Sequence, residues 1–307
     1  MAKPKNQKQI EVANKQDSSA SSRIAIIAGN GVLPIYIRDE LISQNLNPLL
    51  IGVHNEISNK LVKKADAVLT FGQVGKLFEI LSANSVDRVI FAGGITKRPD
   101  YKNLKLDMLT IKELPKLLKI VLGGDNSVLT KISKYFETRN IDVVGSHEIV
   151  PRLIANQGVI AGKFSKRSAM ANVQLAVESA KTIGGLDIGQ ASVAEDGRVI
   201  ALEAVEGTDA MLARVAKLRR DGRLHATPKI AVLAKMLKPE QDMRADLPAI
   251  GPKTVENVHK AGLKGIVVEA GKALILDRNA TVKKAAELGI FIYGFDYETQ
   301  SKKLGDA

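Results

Sequence analysis

The chain has 307 residues, a length that suits two domains, and its 45% hydrophobic content is that of a globular protein rather than a disordered one. It has no cysteine, which excludes disulfides, thiol catalysis and cysteine-bound metal ions. The formal net charge of +12 predicts an anionic partner. Trp is absent and the aromatic fraction is 4%, so a stacking surface for single-stranded nucleic acid is not expected.

Residues 1–22 are rich in Lys, Gln, Asn and Ser and are predicted to form a disordered tail. The tail lysines can contact acidic lipid headgroups, although a tail without a role is the simpler interpretation. No apolar run approaches the ~20 residues that cross a bilayer, and the N-terminus lacks the hydrophobic core of a secretory signal. We therefore expect a cytoplasmic protein.

From Arg23 onward, strand patterns alternate with helix patterns. Strands are predicted in the segments IAIIAG, NPLLIGV, ADAVLTFG, DRVIFAGG and IDVVG. One helix is predicted to end near residue 45, and three more to span 73–83, 109–121 and 126–138. Such alternation is typical of parallel sheets with crossover helices. We therefore expect residues 23–155 to form an N-terminal Rossmann-like domain with a doubly wound parallel sheet.

Glycines end two of these strands, at Gly29–Gly31 and at Gly93–Gly94. The carboxyl edge of an open α/β sheet is where ligands bind, and free backbone N–H groups at a following helix start attract anions. Pro34 occupies the position of the third glycine of the dinucleotide fingerprint, so a nicotinamide cofactor is not favoured. The alternative, glycines that only form tight turns, stays open.

Residues 156–166 contain Gly158 and Gly162 and are predicted to be a linker to a C-terminal α/β catalytic domain at 167–300. A mixed α/β arrangement is indicated by the following order of segments: a helix over 165–183, a hairpin in ASVAEDGRVIALEAV on its Asp-Gly turn, a helix through Leu218, the strand KIAVLAKM, a helix over 253–261, strands in GIVVEAG and ALILD, a helix over 280–288 and the strand FIYGF.

Acidic and basic residues are mixed between Leu202 and Pro252 in a way that an ordinary solvated helix face does not explain. Carboxylates there, such as Asp209 and Asp246, can hold a hard divalent cation that polarises a phosphoryl oxygen and acidifies bound water. Neighbouring lysines and arginines can neutralise phosphate charge. The simpler alternatives are that Thr208 or Asp209 is the N-cap of the next helix and that Asp246 is a surface charge.

Short strings between Arg23 and Asp296 are specific as an ordered set: IAGNGVLP, GKLFEIL, FAGGITKRPD, GDNSVL, GSHEI, LDIGQASV, EGTDAML, LAKMLKP, DLPAIGPKTV, AGLKGIVVEAG and FIYGFD. In this order they resemble the metal-dependent UDP-2,3-diacylglucosamine pyrophosphatases of lipid A biosynthesis, the LpxI type. The resemblance implies a Mg²⁺-dependent hydrolase that cleaves UDP-2,3-diacylglucosamine into UMP and 2,3-diacylglucosamine 1-phosphate (lipid X). It further implies two hinged lobes that close on the substrate, and water attacking the sugar-side phosphorus.

The resemblance also implies site residues. The aspartate of DLPAIG, Asp246, is the expected catalytic residue, and Asp246 and Asp209 are the expected metal ligands. Asn30 stands where the family often has another glycine, which can alter the first glycine loop. The expected substrate-binding residues are Gly31, Ala92, Gly93, Gln190, Thr208, Asp209 and Lys235.

Two other function classes fit parts of the sequence. A non-catalytic carrier of a nucleotide sugar or lipid would use the same cleft and the same basic surplus, but not the acidic loop. A nucleic-acid binder is suggested only by the charge, and no binding motif supports it. We expect no nucleic-acid partner. We do expect peripheral contact with the cytoplasmic face of the inner membrane, and a homodimer, since closed two-fold assemblies are the commonest.

Overall fold

The structure is a computed structural model that describes residues 23–95, 104–121, 125–225, 230–239, 241–244 and 247–299. Within these ranges the chain forms a five-stranded sheet, a six-stranded sheet and a separate two-stranded pair, all accompanied by helices. Of the helices in these ranges, none combines the length and the apolar composition that crossing a bilayer requires. The predicted fold class, a Rossmann-like parallel domain followed by a mixed α/β domain, is confirmed.

The first sheet is entirely parallel and has the strand order β3-β2-β1-β4-β5. Its strands are rich in Val, Ile and Leu on both faces because helices or other segments cover both. The strands are β1 (Arg23–Ala28), β2 (Leu49–Val53), β3 (Ala67–Leu69), β4 (Val86–Ala92) and β5 (Asp142–Val143). The accompanying helices are α1 (Leu33–Ser43), α2 (Asn59–Val62), α3 (Val74–Ala83), α4 (Met108–Val121), α5 (Asp125–Glu137) and α6 (Ser146–Ile149).

The two faces of the first sheet have different partners. On one face, α3, α4 and α5 pack through side chains such as Leu81, Ile120 and Phe136. On the other face, α1 packs together with residues from the second half of the chain, Leu237 and Leu247 among them. Burying one such apolar side chain contributes about 1.5–3 kcal/mol. The two halves of the chain therefore share a hydrophobic cluster.

The second sheet is mixed, with the order β6-β13-β11-β9-β7-β8. Strands β9, β11 and β13 are parallel, and β6, β7 and β8 run antiparallel to their neighbours. The strands are β6 (Gly158–Ala161), β7 (Ala191–Glu195), β8 (Arg198–Leu202), β9 (Ala231–Lys235), β11 (Gly265–Glu269) and β13 (Phe291–Phe295), with β10 (Ala249–Ile250) paired to β12 (Leu274–Ile275) outside this sheet. The helices are α7 (Lys166–Gly185) on one face and α8 (Gly207–Arg220), α9 (Pro252–Lys260) and α10 (Arg278–Glu287) on the other, and a 3-10 turn spans Pro151–Leu153.

One local feature differs from the expectation, and a second is a pairing that the sequence analysis did not predict. The segment predicted to be a linker contains β6, which begins at Gly158 and is followed directly by Gly162. Both glycines have positive φ, and a Cβ at Gly162 would lie 2.4 Å from the carbonyl oxygen of Ile290. Strand β12, in ALILD, pairs with β10 and not with the adjacent β11. Both features arise from pairing between strands that are distant in the sequence, β6 with β13 and β10 with β12. Hydrophobic periodicity does not encode such pairing.

Candidate active site

One group of predicted site residues lies where the strand order of the first sheet reverses, between β1 and β4. The amide of Gly29 donates to the Ala92 carbonyl at 2.8 Å, and Asn30 and Gly94 exchange two backbone hydrogen bonds of 2.8 and 3.1 Å. The predicted substrate-binding residues Gly31, Ala92 and Gly93 therefore lie at the ends of two strands, β1 and β4, that are joined to each other there. Ala92 is buried, and its carbonyl is already paired with the Gly29 amide, so a direct contact between Ala92 and a ligand stays a prediction.

Asn30, the departure from the family pattern, has a local role. Its side-chain oxygen accepts a hydrogen bond of 2.7 Å from the amide of Gly31, the next residue. Gly31 has a φ of 95°, a conformation that favours glycine, and nothing lies within 4 Å of where a Cβ would be. The loop therefore stays open to a ligand on the Gly31 side, while the amides of Gly29, Asn30 and Gly31 are all already paired.

Gly93 is the glycine on which this edge depends most. Its φ is 86°, and a Cβ there would lie 2.2 Å from the carbonyl oxygen of Asn30, whereas a Cβ at Gly94 meets nothing within 4 Å. We expect Gly93→Ala to lower the free energy of unfolding by about 1–3 kcal/mol because of strain and overlap. Gly94→Ala should lower it by at most about 0.5 kcal/mol. Urea unfolding measures both, and equal losses in the two variants would contradict this assignment.

The second-sheet edge brings Gln190 and Lys235 together. Strand β7 runs antiparallel to β9, so Ala191 at the start of β7 is in register with Lys235 at the carboxyl end of β9. The amide of Met236 donates to the carbonyl of Gln190 at 2.9 Å. The ammonium of Lys235 donates to the Ala249 carbonyl at 3.2 Å, three residues after Asp246 in sequence. The ammonium group of Lys235 is thus held at the edge where open α/β sheets bind ligands.

Glu203 joins Thr208 to this edge, a role that the sequence did not reveal. One of its oxygens accepts from the Gln190 amide at 3.1 Å, and the other accepts from the Thr208 hydroxyl at 2.9 Å. Glu203 is only 6% exposed, so these two donors take the place of the water molecules that would otherwise solvate its carboxylate. Position alone gave little signal, since Glu203 follows an ordinary hairpin strand.

Asp209 is not a helix cap. Helix α8 has Glu206 at the N-cap position, without a side-chain capping bond. Asp209 lies in the first turn, where it pairs with Lys253 at 2.8 Å and accepts from Asn257 at 2.9 Å. Burial acts to raise the pKa of Asp209, but these two partners and the charges of Lys253 and Lys235 outweigh it and lower that pKa. Asp209 is therefore an ionised carboxylate near Lys235, and the N-cap prediction for Thr208 or Asp209 is wrong.

Asp246 lies outside the described residues, but both of its described flanks are anchored. On the N-terminal side, Arg244 pairs with Asp242 and with Glu137 of α5, both at 2.8 Å. The hydrogen bonds from Arg244 lower the pKa of Asp242. On the C-terminal side, Leu247 is buried in the cluster shared by the two halves of the chain. The described residues on both sides of Asp246 therefore contact the first sheet's domain.

The donor groups at this edge are compatible with Mg²⁺, although no cluster of three or more metal-ligating side chains occurs among the described residues. Mg²⁺ at phosphate-processing sites commonly takes one or two carboxylates and completes its shell with water and substrate phosphates. Asp209 supplies an ionised carboxylate, whose two oxygens also pair with Lys253 and Asn257. The side-chain oxygen of Gln190 is buried and has no hydrogen-bond partner within the described part of the chain, which suits a ligand or ordered water.

A buried ion pair supports the same edge. Lys181 of α7 lies 2.6 Å from Glu269 at the carboxyl end of β11, with exposed side-chain fractions of 12% and 2%. Lys181 also donates to the Leu237 carbonyl at 3.0 Å, two residues after Lys235. The pair thus holds the chain where it leaves β9 toward Asp246. Glu269 was detectable in the sequence only as an acid within the apolar run GIVVE.

Comparison with known proteins covers both halves of the chain. Residues 23–153 match the model of the LpxI N-terminal domain, and residues 156–293 match the model of the LpxI C-terminal domain. A curated relative from Caulobacter vibrioides, "UDP-2,3-diacylglucosamine pyrophosphatase LpxI", is 36% identical over 274 residues, which are 89% of this chain and 98% of the relative. Both domain models and the near-complete coverage of the relative lead to one conclusion: the chain belongs to the LpxI family.

Proposed function

We propose that the protein hydrolyses the pyrophosphate bond of UDP-2,3-diacylglucosamine and releases UMP and lipid X. The observation that carries this proposal is the alignment with the Caulobacter vibrioides relative, which is named as a UDP-2,3-diacylglucosamine pyrophosphatase, over 98% of the relative's length. The geometry supports it independently of the name, because Gln190, Thr208, Asp209 and Lys235 meet at one carboxyl edge. That edge has the cation and the carboxylate that phosphoryl transfer requires.

In this proposal, Asp246 directs a water molecule at the sugar-side phosphorus. The water oxygen forms a bond to that phosphorus while the bond to the bridging oxygen breaks, and UMP departs with that oxygen. Lys235 offsets the negative charge that gathers on the phosphates. Asp246 and Asp209 would hold Mg²⁺, which supplies Lewis-acid polarisation of a phosphoryl oxygen when it is bound.

The acyl chains of the proposed substrate need apolar contacts close to this edge. Large apolar side chains are exposed on the two loops that flank Gln190 and Glu203, namely Leu186, Ile188 and Val205, with exposed fractions of 69%, 48% and 97%. A Cβ at Gly189 would lie 2.2 Å from the Glu203 carbonyl oxygen, so the two loops touch. We assign this apolar patch to the acyl chains, because such patches mark ligand or membrane contacts.

The test is incubation with UDP-2,3-diacylglucosamine and Mg²⁺, with and without a chelator, followed by analysis of phosphorus-containing products. We expect UMP and lipid X with Mg²⁺ and at least a ~100-fold slower reaction with chelator, the loss typical of one transition-state interaction. Substrate that binds but stays intact would indicate a carrier instead. Release of UMP that is insensitive to chelator would leave the hydrolysis in place and remove the metal from the proposal.

A further inference from the structure

The outer side of α4 and α5 contains a cavity that the proposed reaction does not use. Its volume is about 380 Å³, and four lysines line it, together with the buried side chains of Ile120 and Tyr135 and with Thr138; the lysines are Lys116, Lys119, Lys131 and Lys134. The two helices lie on the sheet face opposite the one that contacts the second half of the chain. The cavity therefore faces away from the shared hydrophobic cluster.

The positive charge of this lysine cavity is only partly compensated: Lys116 lies over the Tyr135 ring at 5.0 Å and acts electrostatically on Glu113, and Lys131 donates to the Lys119 carbonyl at 3.3 Å. None of its four lysines forms an ion pair with a carboxylate among the residues that the structure describes. The nearby acids have other partners: Glu113 accepts from Arg139 at 2.5 Å and from the Tyr135 hydroxyl, and Glu137 pairs with Arg244. Four like charges around one concavity repel each other and attract an anion.

An exposed apolar stripe runs beside the lysines on α4. Met108, Ile111 and Leu118 have exposed fractions of 83%, 52% and 45%. At 3.6 residues per turn, these three positions adjoin the row formed by Lys112, Lys116 and Lys119. A helix that exposes an apolar stripe bordered by lysines is typical of segments that lie in the membrane interface.

From these two observations we propose that the outer face of α4 and α5 docks onto an anionic phospholipid membrane. Lipid phosphates contact these four lysines, and Met108, Ile111 and Leu118 enter the boundary between headgroups and acyl chains. A soluble phosphate would account for the lysines but not for the apolar stripe, which decides in favour of a lipid surface. The inference rests on this face alone and does not require the proposed hydrolysis.

The docking face is also connected to the candidate active site. Glu137 at the end of α5 pairs with Arg244, which precedes Asp246 by two residues in sequence. A membrane bound to α4 and α5 would therefore lie close to the end of α5 that contacts Arg244.

Co-sedimentation of the full chain with vesicles of phosphatidylcholine, with and without phosphatidylglycerol, tests this proposal. We expect pelleting only with the anionic vesicles. The triple variant Lys119→Gln, Lys131→Gln and Lys134→Gln should weaken it on the order of 100-fold, from the contribution of each lysine near an anionic surface. The matched control is Lys60→Gln, Lys63→Gln and Lys64→Gln, which removes three exposed lysines of the same domain and should weaken it less than ~5-fold.

Two further arms separate a lipid surface from other anions. Met108→Ser with Ile111→Ser should weaken pelleting without any change in charge. Inorganic phosphate at constant ionic strength should not displace the protein from vesicles. The proposal is overturned if the two triple variants pellet equally, as they would if the tail lysines carried the binding, or if phosphate displaces the protein. Unchanged thermal unfolding of the variants confirms that they are folded.

Discussion

An Asp246→Asn protein is expected to retain substrate binding and to release UMP at a rate lower by on the order of 100-fold or more, because one group that acts on the transition state typically contributes this much. Asparagine keeps the size of the side chain and removes its charge, so both a metal ligand and a water-orienting carboxylate are lost. The loss should appear in kcat rather than in KM. Product release under saturating substrate and Mg²⁺ measures it.

The control for Asp246 is Asp221→Asn, which removes a carboxylate from the same half of the chain. Asp221 pairs with Lys217 at the solvent-facing end of α8, with a side chain that is 40% exposed. Its substitution should leave kcat unchanged within about twofold, since exposed pairs contribute ~0–1 kcal/mol at most. A wild-type rate in the Asp246→Asn protein would remove Asp246 from the reaction and leave the family membership untouched.

Lys181→Met is expected to lower the free energy of unfolding by about 3 kcal/mol, the lower end of the cost of breaking a buried ion pair. The substitution leaves Glu269 charged and almost fully buried, with Lys272 at 3.2 Å from its other oxygen as partial compensation. It also removes the hydrogen bond to the Leu237 carbonyl. Urea unfolding monitored by circular dichroism gives the value.

Two variants make the test of Lys181 specific. Lys217→Met breaks an exposed pair and should cost less than ~1 kcal/mol. Adding Glu269→Leu to Lys181→Met removes the stranded carboxylate and should recover part of the loss, since an apolar replacement of a whole buried pair is often tolerated. If Lys181→Met and Lys217→Met lose the same stability, the buried pair does not hold this edge together.

The strand and helix order was readable from the sequence because short-range periodicity encodes it. Runs such as IAIIAG and DRVIFAGG are apolar on both faces and end in glycine, which indicates buried parallel strands that stop at a ligand-binding edge. The homodimer, the metal requirement and the catalytic role of Asp246 stay predictions. The homodimer depends on a second chain, and the metal requirement depends on a cation. The catalytic role depends on Asp246, which lies outside the described ranges.

Local pattern was weakest where the partner of a residue is distant. Asp209 matches the signature of a helix N-cap, yet its partners Lys253 and Asn257 come from α9, more than 40 residues later. In the same way, β12 takes β10 as its partner and β6 joins the second sheet at its edge. A capping residue and a site carboxylate look alike until the fold supplies the neighbouring charges.

By itself, the sequence determined the two-part α/β architecture, the glycine-ended strands and the family. Only the tertiary structure decided that Glu203 links Gln190 to Thr208, that Lys181 and Glu269 form a buried pair, and that four lysines surround one cavity. The physical reason is the range of the interactions involved. Periodicity acts over a few residues, whereas burial and charge pairing act between segments that are distant in the chain and become neighbours only on folding.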